Sequence, residues 1–296
     1  MIWGPILAGY LFLAGLSAGA YAIAALANFK NPEATRKFQL GGRLIAPATV
    51  IVGLLLLVFD AEAGVHNPLR FFFLFTNWGS VMTWGSAILS IYTLVACISA
   101  LLALLKKPIA KVLDYIGIFL AFCTAAYTGV LIGVVETYPL WNTSLLPALF
   151  VVSGFSTGIS ITFLAASFLA PQEAQKLVCF KKLHFALPVI EIFLIAVFLY
   201  IAWHGSSAGA DSVNAILTGN FAALFWGGLI VVGLVVPIVL ELVGISLVKK
   251  HGIDSPITHG RGMIVAEILG CVCTLAGGFI LRYLILMAAV PAQFLF

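Results

Sequence analysis

The chain has 296 residues, of which 62% are hydrophobic and only 9% are charged, and its formal net charge is +4. An ordinary soluble domain carries about 25% charged residues, so this composition excludes a soluble enzyme and a disordered protein. The apolar runs are long and lack the period-2 alternation of membrane strands. This excludes an outer-membrane barrel and predicts an all-α polytopic membrane protein.

Eight apolar runs are long enough to cross a bilayer, whose core of about 30 Å requires about 20 helical residues. In chain order, the predicted spans are Gly4–Asn28, Leu40–Phe59, Val81–Leu105, Val112–Val135, Leu145–Ala170, Leu183–His204, Phe221–Val248 and Met263–Val290. Pro47 is expected to kink the second span. The stretch Phe71–Phe75 is apolar but too short to cross, and we expect it to lie along the surface or to re-enter the membrane.

The basic residues predict the orientation of the chain. Of the 15 Lys and Arg residues, 13 fall in the links after spans 1, 3, 5 and 7, and only Arg70 and Arg282 lie elsewhere. By the positive-inside rule these four links are cytoplasmic, so both termini face outward. The 13 residues are Lys30, Arg36, Lys37, Arg43, Lys106, Lys107, Lys111, Lys176, Lys181, Lys182, Lys249, Lys250 and Arg261.

A weak internal repeat relates the first and fifth spans, which have the same predicted orientation. Small residues at matching positions would allow helices to approach closely. The repeat predicts two parallel four-helix bundles, residues 1–138 and 139–296. The aligned pairs are Gly15 with Gly154, Ser17 with Ser156 and Gly19 with Gly158.

The motifs of several cofactors are absent from the sequence. None of the five His lies in the middle of a span, where the paired axial ligands of a membrane haem are usually found. The five Cys form no CxxC pair, so neither an iron–sulfur cluster nor another metal site is expected in this chain. Nucleotide-binding glycine motifs are also missing, which argues against an ATP-driven pump. Nothing in the sequence points to nucleic acid as a partner.

Three carboxylates, Glu191, Glu241 and Glu267, are predicted inside spans 6 to 8, near the cytoplasmic side. Intramembrane carboxylates are costly and usually face a bundle interior or water. They are interpreted either as interhelical hydrogen-bonding groups or as a proton path from the cytoplasm. A substrate-transport site is a third interpretation.

A second set of polar residues is predicted at the outer face. A quinone requires a flat apolar slot and a hydrogen-bond donor or proton exchanger at each carbonyl. Side chains of these types occur at compatible depths, so the outer face is a candidate quinone site. The set consists of Asp60, His66, Arg70, Tyr127, Asn142, Arg282 and Tyr283.

Several segments resemble one family of membrane subunits, and they occur in the family's order over nearly the whole chain. These segments are Trp3-Gly4-Pro5 with YLFLAGLSAG, FDAEAGVHNPLRF at Phe59–Phe71, SVMTWGS at Ser80–Ser86, AYTGVLIG at Ala126–Gly133, LWNTSLLPALFVVSG at Leu140–Gly154 and GGFILRY at Gly277–Tyr283. On these motifs, the chain is similar to the NrfD/polysulfide reductase membrane-subunit family.

The resemblance implies a quinone-reactive subunit of a prokaryotic cell (inner) membrane, built from two four-helix bundles without a redox cofactor of its own. Such subunits anchor an iron–sulfur protein with several cubane clusters, often beside a molybdopterin catalytic subunit. The quinone would be menaquinone or ubiquinone. The chain would exchange electrons between the quinone pool and the iron–sulfur partner. The direction of electron flow and any proton translocation stay open.

The resemblance also assigns roles to individual residues. Tyr127 matches the family tyrosine that hydrogen-bonds the quinone head group, and Asp60 matches the acid that ends the second helix, a candidate for proton exchange. Some members place a His or Asn in the first helix against the ring. Here that helix offers only Tyr10 and Ser17, and His66 is a possible substitute for the missing contact.

The alternative from another functional class is a secondary, proton-coupled transporter. Inverted repeats and paired broken helices near the midplane would favour it. The repeat found here is parallel, and Pro47 is the only clear mid-helix breaker in the first four spans. A purely structural anchor is the third interpretation.

Overall fold

The computed structural model describes residues 4–33, 35–60, 75–169, 178–251 and 261–292, and all regular structure in these ranges is helical. The elements in chain order are α1 (Pro5–Lys30), α2 (Arg36–Asp60), α3 (Val81–Leu104), α4 (Lys111–Gly133), α5 (Leu145–Leu169), α6 (Val178–Gly205), α7 (Ser207–Leu217), a π-helical segment (Leu224–Val235), α8 (Val236–His251) and α9 (Arg261–Met287).

The predicted spans are confirmed. Within the described ranges, eight helices are long and apolar enough to cross a membrane, with the π-helical segment and α8 together forming the seventh. Pro47 lies inside α2, as expected. Most of the stretch Phe71–Phe75 lies outside the described residues.

Two elements were not predicted. The helix α7 lies in the link between spans 6 and 7, and the Ser206 hydroxyl caps it by accepting a hydrogen bond from the backbone N–H of Gly209 (3.0 Å). The other is the π-helical segment, which packs closely on α9, since a Cβ placed on Gly233 would lie 2.5 Å from Cα of Gly277. In a run that is apolar on every face, hydropathy contains no signal that distinguishes a π turn from an α turn.

The helix α1 is at the centre of the molecule and contacts α2, α4, α5 and α9. Its backbone meets that of α5 at glycines, because a Cβ on Gly154 would lie 3.0 Å from the carbonyl oxygen of Gly15. Gly19 and Gly158 are in similarly close contact. These are two of the three pairs that the sequence repeat aligns, so equivalent residues of the two copies meet where α1 contacts α5. The division into residues 1–138 and 139–296 stays a prediction.

The two ends of the helix array differ in charge. We call the end at which α1 and α3 end and α2 and α4 begin the basic end, and the opposite end the far end. Following the predicted division, we call α1–α4 the first bundle, and α5–α9 with the π-helical segment the second bundle. Exposed basic residues at the basic end include Lys30, Lys37, Lys106, Lys111 and Lys182.

Two basic residues that were counted as link residues, Arg43 and Lys181, are buried inside helices. Arg43 was counted as a link residue, but it lies within α2 and its side chain is fully buried. Its burial is possible because Nη2 forms an ion pair with Oδ1 of Asp114 on α4 at 2.7 Å. The pair is still at the basic end, so the asymmetry of charge between the two ends is unchanged.

Candidate functional site

Tyr127 lies on α4, six residues before the helix ends at Gly133 at the far end. Its ring occupies the space beside Gly85 of α3, where any Cβ would overlap it. The residue is only 8% exposed. Within the described part of the chain, its hydroxyl has no hydrogen-bond partner. Gly85 therefore makes room for a tyrosine whose polar atom is left unpaired.

Tyr10, on α1, is a second tyrosine with an unpaired hydroxyl. Its oxygen is buried and has no hydrogen-bond partner among the described residues. The ring lies against Gly53 of α2, with Cδ2 3.6 Å from where a Cβ would stand. Tyr10 and Tyr127 are close enough to interact electrostatically. A buried hydroxyl without a partner costs about 1–3 kcal/mol and calls for an explanation, such as a ligand.

The two hydroxyls could act together on a ligand with two acceptors. A neutral phenol donates one O–H to a carbonyl oxygen. Around the pair, the neighbouring helices supply buried apolar side chains, and the two rings pack on the backbone of Gly53 and Gly85. Apolar surroundings with a few convergent hydrogen-bond donors are typical of a small-molecule site.

Asp60 is the last residue of α2 and is partly buried at the far end. Among the described residues it has no ion-pair or hydrogen-bond partner. Its predicted neighbours His66 and Arg70 lie outside the described residues. The structure therefore gives the position of the carboxylate but not of the group predicted around it.

Three other predicted residues have different surroundings. The Ser17 hydroxyl donates to the carbonyl oxygen of Ala46 (2.6 Å) and lies 2.8 Å from Oη of Tyr92, so it is engaged within the first bundle. Asn142 is exposed and lines a separate cavity of about 250 Å³. Tyr283 is half-buried and stacks on an aromatic ring of its own helix. None of the contacts described for Ser17, Asn142 and Tyr283 is a contact with Tyr127.

Arg282 is fully buried and joins three helices. Its guanidinium donates to the carbonyl oxygens of Leu11 (3.2 Å) and Gly278 (2.7 Å) and to the Ser153 hydroxyl (3.1 Å). Glu191 of α6 is within interaction range of both Arg282 and Ser153. Because Leu11 directly follows Tyr10, Arg282 reaches the neighbourhood of the tyrosine pair.

Glu191 lies inside α6 and is almost completely buried. The helix α6 begins at Val178, five residues before the expected start, so Glu191 is about halfway along its 28 residues. At 1.5 Å per residue it is about 20 Å from either end of the helix. The added first residues belong to the basic segment before the apolar run, so the depth of Glu191 in the membrane stays a prediction.

The other two predicted carboxylates have cationic or ionisable partners near the basic end. Oε1 of Glu241 is 2.7 Å from Nδ1 of His184, whose Nε2 is 2.7 Å from the Ser160 hydroxyl. Oε1 of Glu267 is 3.3 Å from Nζ of Lys181. A cavity of about 20 Å³ between these two pairs has room for one water molecule.

Hydroxyl groups on α5 lie between these two regions. The Ser160 hydroxyl donates to the backbone carbonyl of Ser156 (2.7 Å), and the Ser156 hydroxyl is buried without a partner among the described residues. Ser153, one turn closer to the far end, binds Arg282. These serines were not predicted as functional from sequence, although their spacing of three and four residues places them on one helix face. We use the name α5 file for the set of six side chains Glu241, His184, Ser160, Ser156, Ser153 and Glu191.

A polar cluster at the basic end of the first bundle was also not predicted from sequence, and we call it the basic-end clamp. It contains one residue from each of α1 to α4, namely Asn28, Arg43, Ser99 and Asp114. Oδ2 of Asp114 accepts hydrogen bonds from Asn28 (2.7 Å) and from Arg43 (2.9 Å), and Arg43 also donates to Ser99. In the described ranges, no three His, Cys, Asp or Glu side chains are grouped as a metal site requires.

Comparison with known proteins agrees with this architecture. Residues 1–292 match the family model described as polysulphide reductase, NrfD. A polysulfide reductase subunit of Wolinella succinogenes is 34% identical, over 97% of this chain and 94% of its own length. Protein NrfD of Escherichia coli is 28% identical, over 97% and 95%. An Hdr-like menaquinol oxidoreductase integral membrane subunit of Archaeoglobus fulgidus is 25% identical, over 81% and 62%. The chain is therefore a multi-pass membrane protein that belongs to the NrfD/polysulfide reductase family.

Proposed function

We propose that this chain is the quinone-reactive membrane subunit of a respiratory oxidoreductase. It exchanges electrons between the membrane quinone pool and an iron–sulfur partner subunit. The observation that carries the proposal is a pair of tyrosine hydroxyls, those of Tyr10 and Tyr127, that have no hydrogen-bond partner among the described residues and lie in an apolar part of the first bundle. The name of the Archaeoglobus fulgidus relative, a menaquinol oxidoreductase subunit, adds independent support.

The chemistry follows from where these groups lie. The two phenols hold the carbonyl or hydroxyl oxygens of the head group, of menaquinone or ubiquinone type. Oxidation of the quinol releases two protons and two electrons. Asp60, at the end of α2, passes the protons to water at the far end. The electrons pass to the iron–sulfur partner subunit, which docks on the far end together with a molybdopterin subunit. The basic end then faces the cytoplasm and both termini face outward.

Replacement of Tyr127 by Phe is expected to weaken quinone binding about fivefold. The ring still fills the space beside Gly85, but one hydrogen bond worth about 1 kcal/mol is lost. Quinol turnover at limiting quinol should fall while the assembled complex is recovered in normal yield. Tyr115→Phe is the matched control, because Tyr115 lies on the same helix, 63% exposed, at the basic end. Unchanged turnover at limiting quinol would remove Tyr127 from the site.

Replacement of Asp60 by Asn is expected to lower turnover several-fold and to flatten its dependence on pH. Asn keeps the size and hydrogen bonding of the side chain but cannot take up a quinol proton. The quinone affinity should stay close to that of the unmodified protein. A variant that assembles poorly, yet keeps the normal pH profile per assembled complex, would give Asp60 a structural role only.

We infer a second activity, the movement of protons across the membrane, from the α5 file. Its groups extend from Glu241 and His184 near the basic end to Glu191, halfway along α6, with the hydroxyls of α5 between them. Arg282 then connects Glu191 to the backbone beside Tyr10. In this proposal Glu267 and its Lys181 partner stand at the entrance, next to the water-sized cavity. The parallel contact of α1 with α5 is unlike the inverted repeats of many transporters, which favours quinone-linked movement over a secondary transporter.

A further inference from the structure

A large cavity opens at the basic end of the first bundle, between the α1–α2 and α3–α4 links. Its volume is about 750 Å³, within the range of about 300–1,000 Å³ usual for ligand sites. Leu40, Ala103 and Leu104 provide apolar walls. The charged lining residues are Arg36, Lys37, Arg43, Lys106, Lys107 and Glu33. Because Asp114 neutralises Arg43, the positive charges of Arg36, Lys106 and Lys107 remain, and they outnumber the single negative charge of Glu33.

Lys106 on the rim of this cavity has a strained backbone. Its φ is +57°, and it follows α3 at the position where a glycine usually ends a helix. Its N–H bonds to the carbonyl of Ala103 (3.1 Å), and the N–H of Lys107 bonds to that of Leu102 (3.0 Å). A non-glycine residue in this conformation costs about 1–2 kcal/mol. Residues with a strained backbone cluster at ligand-binding segments. Here the strained position is occupied by a lysine instead of a glycine, which places a second cation beside Lys107.

Two further features extend the site. Nε of Arg43, which lines the cavity, is buried and has no hydrogen-bond partner among the described residues. Along α3, an exposed apolar stripe leads away from the cavity towards the middle of the membrane. Its members recur every three or four residues, on one helix face, and are Leu94, Ile98, Leu101 and Leu105.

We propose that this cavity binds the head group of an anionic phospholipid, whose acyl chains lie along the α3 stripe. Phosphate oxygens accept the charge-assisted hydrogen bonds that Lys and Arg donate. Basic pockets between membrane helices on the cytoplasmic side are suited to such head groups. A zwitterionic lipid would bring its ammonium group into the same positive field. The cavity thereby selects anionic lipid and fixes the links that join α1 to α2 and α3 to α4.

The test measures lipid bound to the complete, delipidated protein in detergent, by native mass spectrometry. Phosphatidylglycerol, phosphatidylethanolamine and inorganic phosphate are added separately. Each cation near the head group is worth about fivefold in affinity, so Lys106→Gly with Lys107→Gln should weaken phosphatidylglycerol binding about 25-fold. Lys106→Gly also relieves the backbone strain, so lost binding would not reflect a damaged helix end. Lys182→Gln, an exposed basic residue that does not line the cavity, is the matched control.

We expect one phosphatidylglycerol per chain to bind at least tenfold more tightly than phosphatidylethanolamine, and to be lost in the double variant but not in the Lys182 control. Equal binding of the two lipids would overturn the proposal. An equal loss in the double variant and the control would overturn it as well, because attraction would then be a general property of the basic end. Displacement of the lipid by millimolar phosphate would assign the cavity to a soluble anion instead. None of these readouts depends on quinol turnover.

Discussion

Replacement of Asp114 by Leu alone is expected to lower the free energy of unfolding by about 3–5 kcal/mol, and Arg43→Met alone by a similar amount. Each change leaves the opposite charge buried without a partner, since neither side chain is exposed. Asp114→Leu also removes the charged partner of Asn28 on α1, and Arg43→Met removes that of Ser99 on α3. The basic-end clamp joins all four helices, so the whole first bundle should loosen.

The double variant Arg43→Met with Asp114→Leu should recover most of this stability, to within about 1–2 kcal/mol of the unmodified protein. Apolar groups of similar size need no compensation in a low-dielectric interior. The free energy of unfolding of the three variants is measured by denaturant titration of the protein in detergent micelles. Lys111→Met, at the exposed start of α4, serves as the control and should be neutral. Losses that simply add in the double variant would show that the two side chains act independently.

Hydropathy was sufficient to predict the spans, because a bilayer sets a length and an apolarity that each crossing must meet. Every predicted end lies within five residues of the observed one. The same reasoning could not detect α7, whose polar face suits a membrane surface, or a π turn in a uniformly apolar run. It also misassigned Arg43, because counting charges along the chain says nothing about which of them are neutralised by a residue on another helix.

The candidate site was predictable only in part, for a related reason. Tyr127 and Tyr10 stand out as polar groups in apolar helices, but only the packed structure reveals that neither hydroxyl has a partner in the described part of the chain. Ser17 was an equally good candidate by type and depth, and its hydroxyl proved to be occupied by Ala46 and Tyr92. The start of α6 was predicted five residues away from the observed one, because the helix continues through the basic segment before the apolar run.

Replacement of Glu191 by Gln is expected to abolish the membrane potential generated by turnover in sealed vesicles, while electron transfer in uncoupled vesicles stays within about twofold. Gln resembles Glu in shape and hydrogen bonding but cannot carry a proton. Arg282 keeps its bonds to Leu11, Gly278 and Ser153, so the helices around it should remain assembled. Among the carboxylates of the proposed proton path, Glu191 is expected to have the largest effect on the potential, since it lies midway between the two ends of α6.

The controls separate proton movement from structure. Asp211→Asn changes an exposed acid on α7 at the far end and should leave both the potential and turnover unchanged. Glu241→Gln and Glu267→Gln test the entrance of the same path and should reduce the potential without reducing uncoupled turnover. A normal potential in all three Glu variants would make these carboxylates structural. Parallel loss of potential and turnover in Glu191→Gln would have the same meaning, because a proton path can be blocked without stopping uncoupled electron transfer.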